Sequence, residues 1–258
     1  MDTINHKHYI SLGSFCSVAL ELERIGLRET SSPFDWLIAD FEGVVKAIDS
    51  HFENWLKYDN LLQNKDHHEQ YKDEFYKCMF YHDFNKTEPL KEQLSGVHKK
   101  YKRRIDRLYK MINEPTLFLR YINDKRLDDG RNEELLFIEE NYAKIMKLLK
   151  SFNASNDIIF IANTGVTSNT IKIYNVEKDK GDLVARVFLE KNEELKKRLC
   201  ECDFEKRQNN LKVYRKKKRK EKKDEFLKRI NILNKSKKTN SEEYVHNRQY
   251  ILTVNNIN

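Results

Sequence analysis

The chain has 258 residues, of which 39% are hydrophobic and 35% are charged, and it carries a formal net charge of +8. The hydrophobic fraction is low and the charged fraction is high for a globular protein, so the core should be smaller than the length allows. Three prolines and seven glycines argue against a loop-rich all-β fold. Since the N-terminus shows no apolar leader and the apolar runs are too short to span a bilayer, we expect a cytoplasmic protein without a membrane span.

The first predicted elements surround a cysteine. A β-prone stretch at Tyr9–Leu12 meets a turn at Gly13 and Ser14, and a helical pattern runs from Ser17 to Ile25. This order places Cys16 between the carboxyl end of a strand and the start of a helix. Unpaired backbone N–H groups and the helix dipole favour a thiolate there, and α/β folds place nucleophiles at such positions. The alternative is a structural thiol that fills the core.

Strand-like and helical stretches alternate through the following 170 residues. Strands are predicted near Phe75–Tyr81, Thr116–Tyr121, Asp157–Asn163, Thr170–Val176 and Leu183–Leu189, and helices at Phe41–Leu56, Pro89–Ile112 and Glu133–Leu149. Such alternation is typical of βα units. It predicts an α/β fold with a mostly parallel sheet that helices cover on both faces.

A highly charged segment follows the predicted α/β domain. We place the domain at residues 1–190 and a basic extension, helical or disordered, at 191–258, with Tyr250–Val254 as a β-prone end. Residues 206–238 hold 16 Lys or Arg against 3 acids, a balance of +13, so the rest of the chain carries −5 of the total +8. This segment predicts weak, salt-dependent polyanion contact. Few aromatic residues interleave the basic ones, which argues against stacking on nucleic-acid bases.

The remaining cysteines do not predict a metal centre. Cys16 and Cys78 stand apart, and the pair Cys200 and Cys202 has no matching second pair, so neither a disulfide framework nor a zinc-ribbon spacing is present. We therefore expect no metal and no other cofactor. Reduced thiols agree with a cytoplasmic location.

A second candidate constellation is the run from Phe80 to Phe84, which contains His82 and Asp83. A histidine within hydrogen-bond reach of Cys16 can take its proton, and a carboxylate can orient the imidazole. Asp83 is adjacent, but neighbours on an extended chain point to opposite faces. Asp35 is therefore a rival orienting acid. A solvent-facing histidine without a catalytic role is the alternative for His82.

Four further residues are predicted to bind substrate. Arg120 lies inside an apolar strand, so its charge must be paired or lie at the strand exit. It could hold an anionic substrate group or pair with a buried acid such as Asp35. Asn163, at the end of another apolar strand, has the same ambiguity. Ser14 and Ser17 complete the set because they lie on either side of Cys16.

Several of these motifs together resemble a bacterial family described as papain-like cysteine peptidases of unknown function. The resemblance covers residues 8–175 and is carried by Ile10-Ser11-Leu12-Gly13-Ser14-Phe15-Cys16, Gly26-Leu27-Arg28, Ser32-Pro33-Phe34-Asp35-Trp36 and His82-Asp83-Phe84. It implies Cys16 as nucleophile, His82 as its partner and Asp83 or Asp35 as the orienting acid. Relatives often carry Asn before and Gln after the cysteine, whereas Phe15 and Ser17 flank it here. Backbone N–H groups would then have to form the oxyanion hole.

Two functions of different classes remain. The leading hypothesis is a cysteine-dependent acyl-transfer enzyme, either an amide or ester hydrolase, including a peptidase, or an acyltransferase, that acts on a small-molecule, glycan or peptide substrate. The alternative is a non-catalytic α/β module that binds a glycan or a nucleotide-linked ligand, with Cys16 in a structural role. A Cys16–His82 pair at hydrogen-bond distance distinguishes the two.

Overall fold

The computed structural model describes residues 6–182, 184–185, 187–200 and 207–224. The predicted β-prone end at 250–254 lies outside these residues. The strands are β1 His8–Ser11, β2 Leu37–Ala39, β3 Leu61–Gln63, β4 Tyr71–Asp73, β5 Cys78–Phe80, β6 Thr116–Tyr121, β7 Asp157–Asn163 and β8 Ile173–Val176. The helices are α1 Ser17–Arg24, α2 Phe41–Asp49, α3 Leu90–Ile112, α4 Glu133–Phe152, α5 Phe188–Lys191 and α6 Glu193–Cys200, with a short 3-10 helix at Tyr58–Asn60.

A four-stranded parallel sheet lies at the centre of the fold, in the order β1-β6-β7-β8. β6 and β7 coincide with the predicted strands, and nearly every side chain on them is buried. Runs of this kind are typical of parallel strands that are covered on both sides. The α/β class and the parallel sheet are therefore confirmed, and the carboxyl ends of all four strands meet at one edge.

Side chains that alternate along the parallel strands enter two separate hydrophobic clusters. The first cluster contains Phe118 of β6 and Phe160 of β7 together with residues of α2, α3 and α4. The second contains Leu117 and Leu119 of β6 together with residues of α1, α5 and α6. The first cluster also includes the side chains of a second sheet, so it joins two layers of β-structure.

The second sheet is antiparallel, in the order β2-β5-β4-β3, and it corrects one expectation. The strand predicted near Phe75–Tyr81 is β5, and it lies in this sheet rather than in the parallel one. In the pairing of β5 with β2, Phe80 lies opposite Leu37. Gly43 of α2 packs directly on the turn between β4 and β5. Only a glycine fits there, since a Cβ at this position would lie 1.7 Å from the backbone oxygen of Tyr76.

Two predicted elements end or fold differently. The helix predicted to reach Leu56 ends at Asp49, and His51, Phe52 and Leu56 adopt left-handed backbone conformations that a helix excludes. The apolar spacing there reflects packing instead, since Phe52 stacks on Phe34 with ring centroids 5.5 Å apart. Within the strand predicted at 183–189, described residues 184, 185 and 187 are not in a strand and α5 begins at residue 188.

Asn156, in the turn before β7, holds three elements together. Its side-chain oxygen Oδ1 accepts the N–H of Thr116 at 2.9 Å, at the start of β6. Its side-chain Nδ2 donates to the backbone carbonyl oxygens of Ile112 at 2.8 Å and Leu149 at 2.9 Å, near the ends of α3 and α4. The side chain is fully buried, so one amide group satisfies three backbone groups that water does not reach.

Some residues beyond 190 pack against the preceding part of the chain, and the domain boundary at residue 190 stays a prediction. Leu195 and Leu199 of α6 are buried in the second cluster. Arg207 Nε donates to the carbonyl oxygen of Ile25 at 2.7 Å, and Asn210 Nδ2 donates to that of Gly26 at 3.0 Å. The first compact unit therefore extends to Leu211. In the second unit, residues 212–224 are helical. Among the described helices, none combines the length and the apolar character that a membrane crossing requires.

Candidate active site

The turn between β1 and α1 has an unusual backbone. Gly13 and Ser14 both adopt left-handed conformations, with φ of 76° and 78°. Gly13 has a second constraint, because a Cβ there would lie 3.2 Å from the carbonyl oxygen of Phe34. Ser14 carries a Cβ, which makes the left-handed conformation unfavourable by about 1–3 kcal/mol. Strained residues of this kind cluster at functional turns.

Cys16 lies at the end of this turn, immediately before α1, and is half-buried. Its carbonyl oxygen accepts the N–H of Leu20 at 2.9 Å, which closes the first helical turn. The first N–H groups of a helix have no intrahelical acceptor, so they are available at this point. The Ser17 hydroxyl is buried and, within the described residues, has no hydrogen-bond partner. Cys16 is therefore a half-buried residue at the N-terminus of a helix.

His82 is exposed and lies in the bend that follows β5. Its ring centroid lies 6.4 Å from that of Tyr81. Since Phe80 pairs with Leu37 and Gly13 contacts Phe34, the bend and the Cys16 turn both flank residues 34–37. Within the described residues no hydrogen bond joins Cys16 to His82, so the pairing of these two residues stays a prediction.

Asp83, the first predicted orienting acid, is tied to α3. Its buried carboxylate accepts the hydroxyl of Tyr101 at 2.9 Å and forms an ion pair with Lys100. Burial, together with the neighbouring charge of Asp83, raises the pKa of Tyr101 well above its usual value. Tyr101 is therefore a permanent hydrogen-bond donor to Asp83 at neutral pH.

Asp35, the rival acid, is also engaged. Its carboxylate accepts Arg28 Nη2 at 2.6 Å, Arg28 Nε at 3.0 Å and the backbone N–H of Ser32 at 2.9 Å. Burial raises the pKa of Asp35, and the Arg28 guanidinium opposes that shift. Arg28 also lies 5.3 Å from the ring centroid of Trp36. The group as a whole anchors the loop that follows α1.

Arg120 is fully buried and its guanidinium makes four hydrogen bonds. It binds both carboxylate oxygens of Glu134, with Nε–Oε1 at 2.7 Å and Nη2–Oε2 at 2.8 Å. It also donates to the carbonyl oxygens of Leu12 at 2.8 Å and Ala39 at 2.7 Å. The acid that pairs with it is thus Glu134 and not Asp35. Arg120 joins the base of the Cys16 turn to the end of β2, and these bonds leave little capacity for a substrate group.

Asn163 belongs to a polar network at the carboxyl end of β7. Its side-chain oxygen accepts the hydroxyl of Tyr121, and its amide donates to Asp124. Burial raises the pKa of Tyr121 to about 12, so this hydroxyl keeps its proton at neutral pH. Ser14 is also buried. Neither residue presents an exposed side chain to a ligand in this conformation.

Sequence reasoning missed the partners that fix these groups. Arg28 belongs to Gly26-Leu27-Arg28, one of the runs that carry the family resemblance. Its pairing with Asp35, seven residues away, gives no periodic signal in the sequence. Glu134 is one of two acids at the start of α4, a position that such residues commonly occupy for the helix dipole alone. Among the described residues, no group of three or more His, Cys, Asp or Glu is arranged to hold a metal ion.

Alkylation distinguishes Cys16 from Cys78, the two cysteines whose side-chain burial the structure describes. We expect iodoacetamide at pH 7.5 to modify Cys16 in the folded protein at least about tenfold faster than Cys78, because only the half-buried thiol is accessible. Cys78 is fully buried, and burial raises the pKa of its thiol well above the usual value. Peptide mass spectrometry after timed quenching measures both rates. Labelling of Cys16 only after urea unfolding would contradict the expectation and assign the thiol to the core.

Comparison with known proteins places these features in a family context. Residues 7–165 match the model of a family described as "Putative papain-like cysteine peptidase (DUF1796)". An uncharacterized protein of Acanthamoeba polyphaga mimivirus is 25% identical over 181 residues, which cover 62% of this chain and 79% of the viral protein. No solved structure matches the chain significantly.

Proposed function

The chain belongs to the family described as "Putative papain-like cysteine peptidase", and we propose that it is a cysteine-dependent acyl-transfer enzyme in which Cys16 is the nucleophile and His82 its base. The observation that carries this proposal is the position of Cys16, half-buried at the start of α1 after a strained turn. The match spans both Cys16 and His82, so the two residues belong to the part of the chain that the family shares.

The proposed reaction uses these groups in sequence. His82 takes the proton of the Cys16 thiol, and the thiolate attacks the carbonyl carbon of an amide or ester. Backbone N–H groups of Cys16 and Ser17 bind the oxyanion, since the flanking side chains supply no amide donor. The protonated His82 then gives its proton to the leaving group. Water or an acceptor hydroxyl attacks the thioester and releases the acyl group.

The acid that orients His82 remains one of two. Asp83 is adjacent to His82, and a carboxylate that accepts Tyr101 and Lys100 still has lone pairs for a ring N–H. Asp35 is held by Arg28 and Ser32, and its burial favours a fixed orientation. Both acids therefore enter the test as separate variants.

His82→Ala tests the pair directly. We expect the rate at which p-nitrophenyl acetate acylates Cys16 to fall by about 10²–10⁴-fold, because general-base assistance is lost. Stopped-flow absorbance records the burst of p-nitrophenol, and mass spectrometry locates the acyl group on Cys16. His67→Ala is the matched control, since His67 is an exposed histidine of the turn between β3 and β4.

The acid variants complete the experiment. Asp83→Asn and Asp35→Asn should lower the acylation rate unequally, and the larger loss identifies the orienting acid. Thermal unfolding of each variant shows whether it is folded in the assay, so that a lower acylation rate can be distinguished from a loss of fold. If His82→Ala acylates Cys16 as fast as the unmodified protein does, the two residues do not cooperate. The non-catalytic ligand-binding module would then be the better hypothesis.

A further inference from the structure

A groove of about 480 Å³ lies beside β3, at the outer edge of the antiparallel sheet. It is lined by Leu61 and Gln63 of β3, Tyr71 of β4, the aromatic ring of Tyr58, the acids Asp59 and Glu88, and the segment Pro89–Leu90. The volume lies within the range of natural ligand sites. The groove is separate from the Cys16 turn, which contributes no lining residue.

The backbone of β3 presents unpaired groups to this groove. The bonds from Glu74 N–H to Asn60 oxygen and from Asn64 N–H to Gln70 oxygen fix which residues face β4. In an antiparallel ladder the intervening residues point their main-chain groups away from the partner. These residues are Leu61 and Gln63. The Leu61 N–H is used by Tyr58, so the Leu61 carbonyl and both groups of Gln63 face outward.

Natural edge strands are protected by shortness, charges, prolines or bulges that prevent another strand from adding. β3 is short, with three residues, but it has none of the other three protections. The three residues of β3 are Leu61, Leu62 and Gln63, none of them charged, and the side chain of Leu62 is 56% exposed. Within the described residues, β3 pairs with β4 and with no second strand. A strand of this kind is a template for β-strand addition.

We propose that the β3 edge binds an extended, basic peptide as a fifth strand of the antiparallel sheet. Its main chain would bond to Gln63 and to the Leu61 carbonyl. One set of alternate side chains would enter the groove against Leu61 and Pro89–Leu90. Asp59 and Glu88 are both exposed and are the charged residues that line the groove, so they favour Lys or Arg in the peptide. The proposal does not depend on the chemistry of Cys16.

A matched pair of variants tests the main-chain contact. Gln63→Pro removes the outward N–H together with the side chain, which otherwise donates to the Tyr71 hydroxyl and the His68 carbonyl. Gln63→Ala removes the same side chain and keeps the N–H. We expect the Kd of fluorescein-labelled Lys-Val-Lys-Val-Lys-amide, measured by anisotropy on the full chain, to rise at least about tenfold for Pro relative to Ala.

The peptide supplies a second, independent test that needs no protein variant. The same peptide N-methylated at alternate residues cannot complete the ladder and should bind at least about tenfold more weakly. A Glu-Val-Glu-Val-Glu analogue should also bind more weakly, and Asp59→Asn with Glu88→Gln should reduce that difference.

Three outcomes would overturn the proposal. The first is the absence of binding of the basic peptide up to about 1 mM. The second is equal binding of the N-methylated peptide, which would mean that affinity comes from charge alone. The third is a concentration-dependent dimer in sedimentation velocity that Gln63→Pro dissolves and Gln63→Ala does not, which would assign the edge to a second copy of this chain.

Discussion

Replacing Cys16 with Ser is expected to lower the rate of acylation by p-nitrophenyl acetate by about 10⁴–10⁶-fold, because loss of the nucleophile removes nearly all of the covalent chemistry. Ser has the same shape, so the turn and the start of α1 should stay intact. Thermal unfolding by circular dichroism checks the fold, and the burst of p-nitrophenol measures acylation.

The control for this result is Cys78→Ala, which removes a buried thiol. Cys78 lies in β5, is completely buried and has no role in the proposed reaction. Its replacement should therefore leave the burst amplitude at one acyl group per chain. A full burst from the Cys16→Ser protein would place the reactive group elsewhere. The proposed function would then lose the residue on which it rests.

Replacing Arg120 with Met is expected to lower the free energy of unfolding by about 3–5 kcal/mol. The substitution leaves the Glu134 carboxylate buried without its partner and leaves the carbonyl oxygens of Leu12 and Ala39 without a donor. Urea unfolding followed by tryptophan fluorescence measures the change. An effect below about 1 kcal/mol would show that water replaces the guanidinium at this site.

Two further proteins isolate the cause of that loss. Lys125→Met breaks the exposed ion pair with Glu133, close in sequence to the buried one, and should cost at most about 1 kcal/mol. The double variant Arg120→Met with Glu134→Leu should recover part of the stability, because it removes both charges together. The difference between the single and double variants measures their coupling.

The parallel sheet was predictable because its central strands are long and apolar throughout. Thr116–Tyr121 and Asp157–Asn163 have the bounds expected from the sequence, since buried parallel strands select nearly continuous apolar runs. The antiparallel sheet was largely missed. Its strands have three residues each, too few for an alternating pattern to stand out.

Errors at the ends of elements have a common physical origin. The apolar residues at Phe52 and Leu56 continue a helical spacing, yet they serve an aromatic cluster around Phe34 and Trp55. Tertiary packing there overrides the local pattern. α6 follows the predicted domain boundary at residue 190 and is strongly charged overall, and Leu195 and Leu199 are the residues of this helix that the second cluster includes.

In the candidate site, the turn before Cys16 could be predicted from the sequence, but the side-chain partners of the charged residues could not. The strand, the Gly13-Ser14 turn and the helix after Cys16 are local features, and each follows from a few neighbouring residues. The partners of Arg120 and Asp83 depend on how separate elements meet, and the partner of Asp35 depends on the path of one loop; the spacing of charged residues encodes neither. For this reason the sequence suggested acids for His82 that the fold also uses to fix loops.

The three bonds of Asn156 bear on how the molecule opens. Ile112, Thr116 and Leu149 share one buried amide, so α3, β6 and α4 cannot separate one at a time without exposing unpaired backbone groups. The elements from Leu90 to Asn163 are also contiguous along the chain. Such a segment behaves as a single cooperative unit in local unfolding. The short antiparallel strands lie outside this unit, but the bend that carries His82 is tied to it, because the adjacent Asp83 binds Tyr101 and Lys100 of α3.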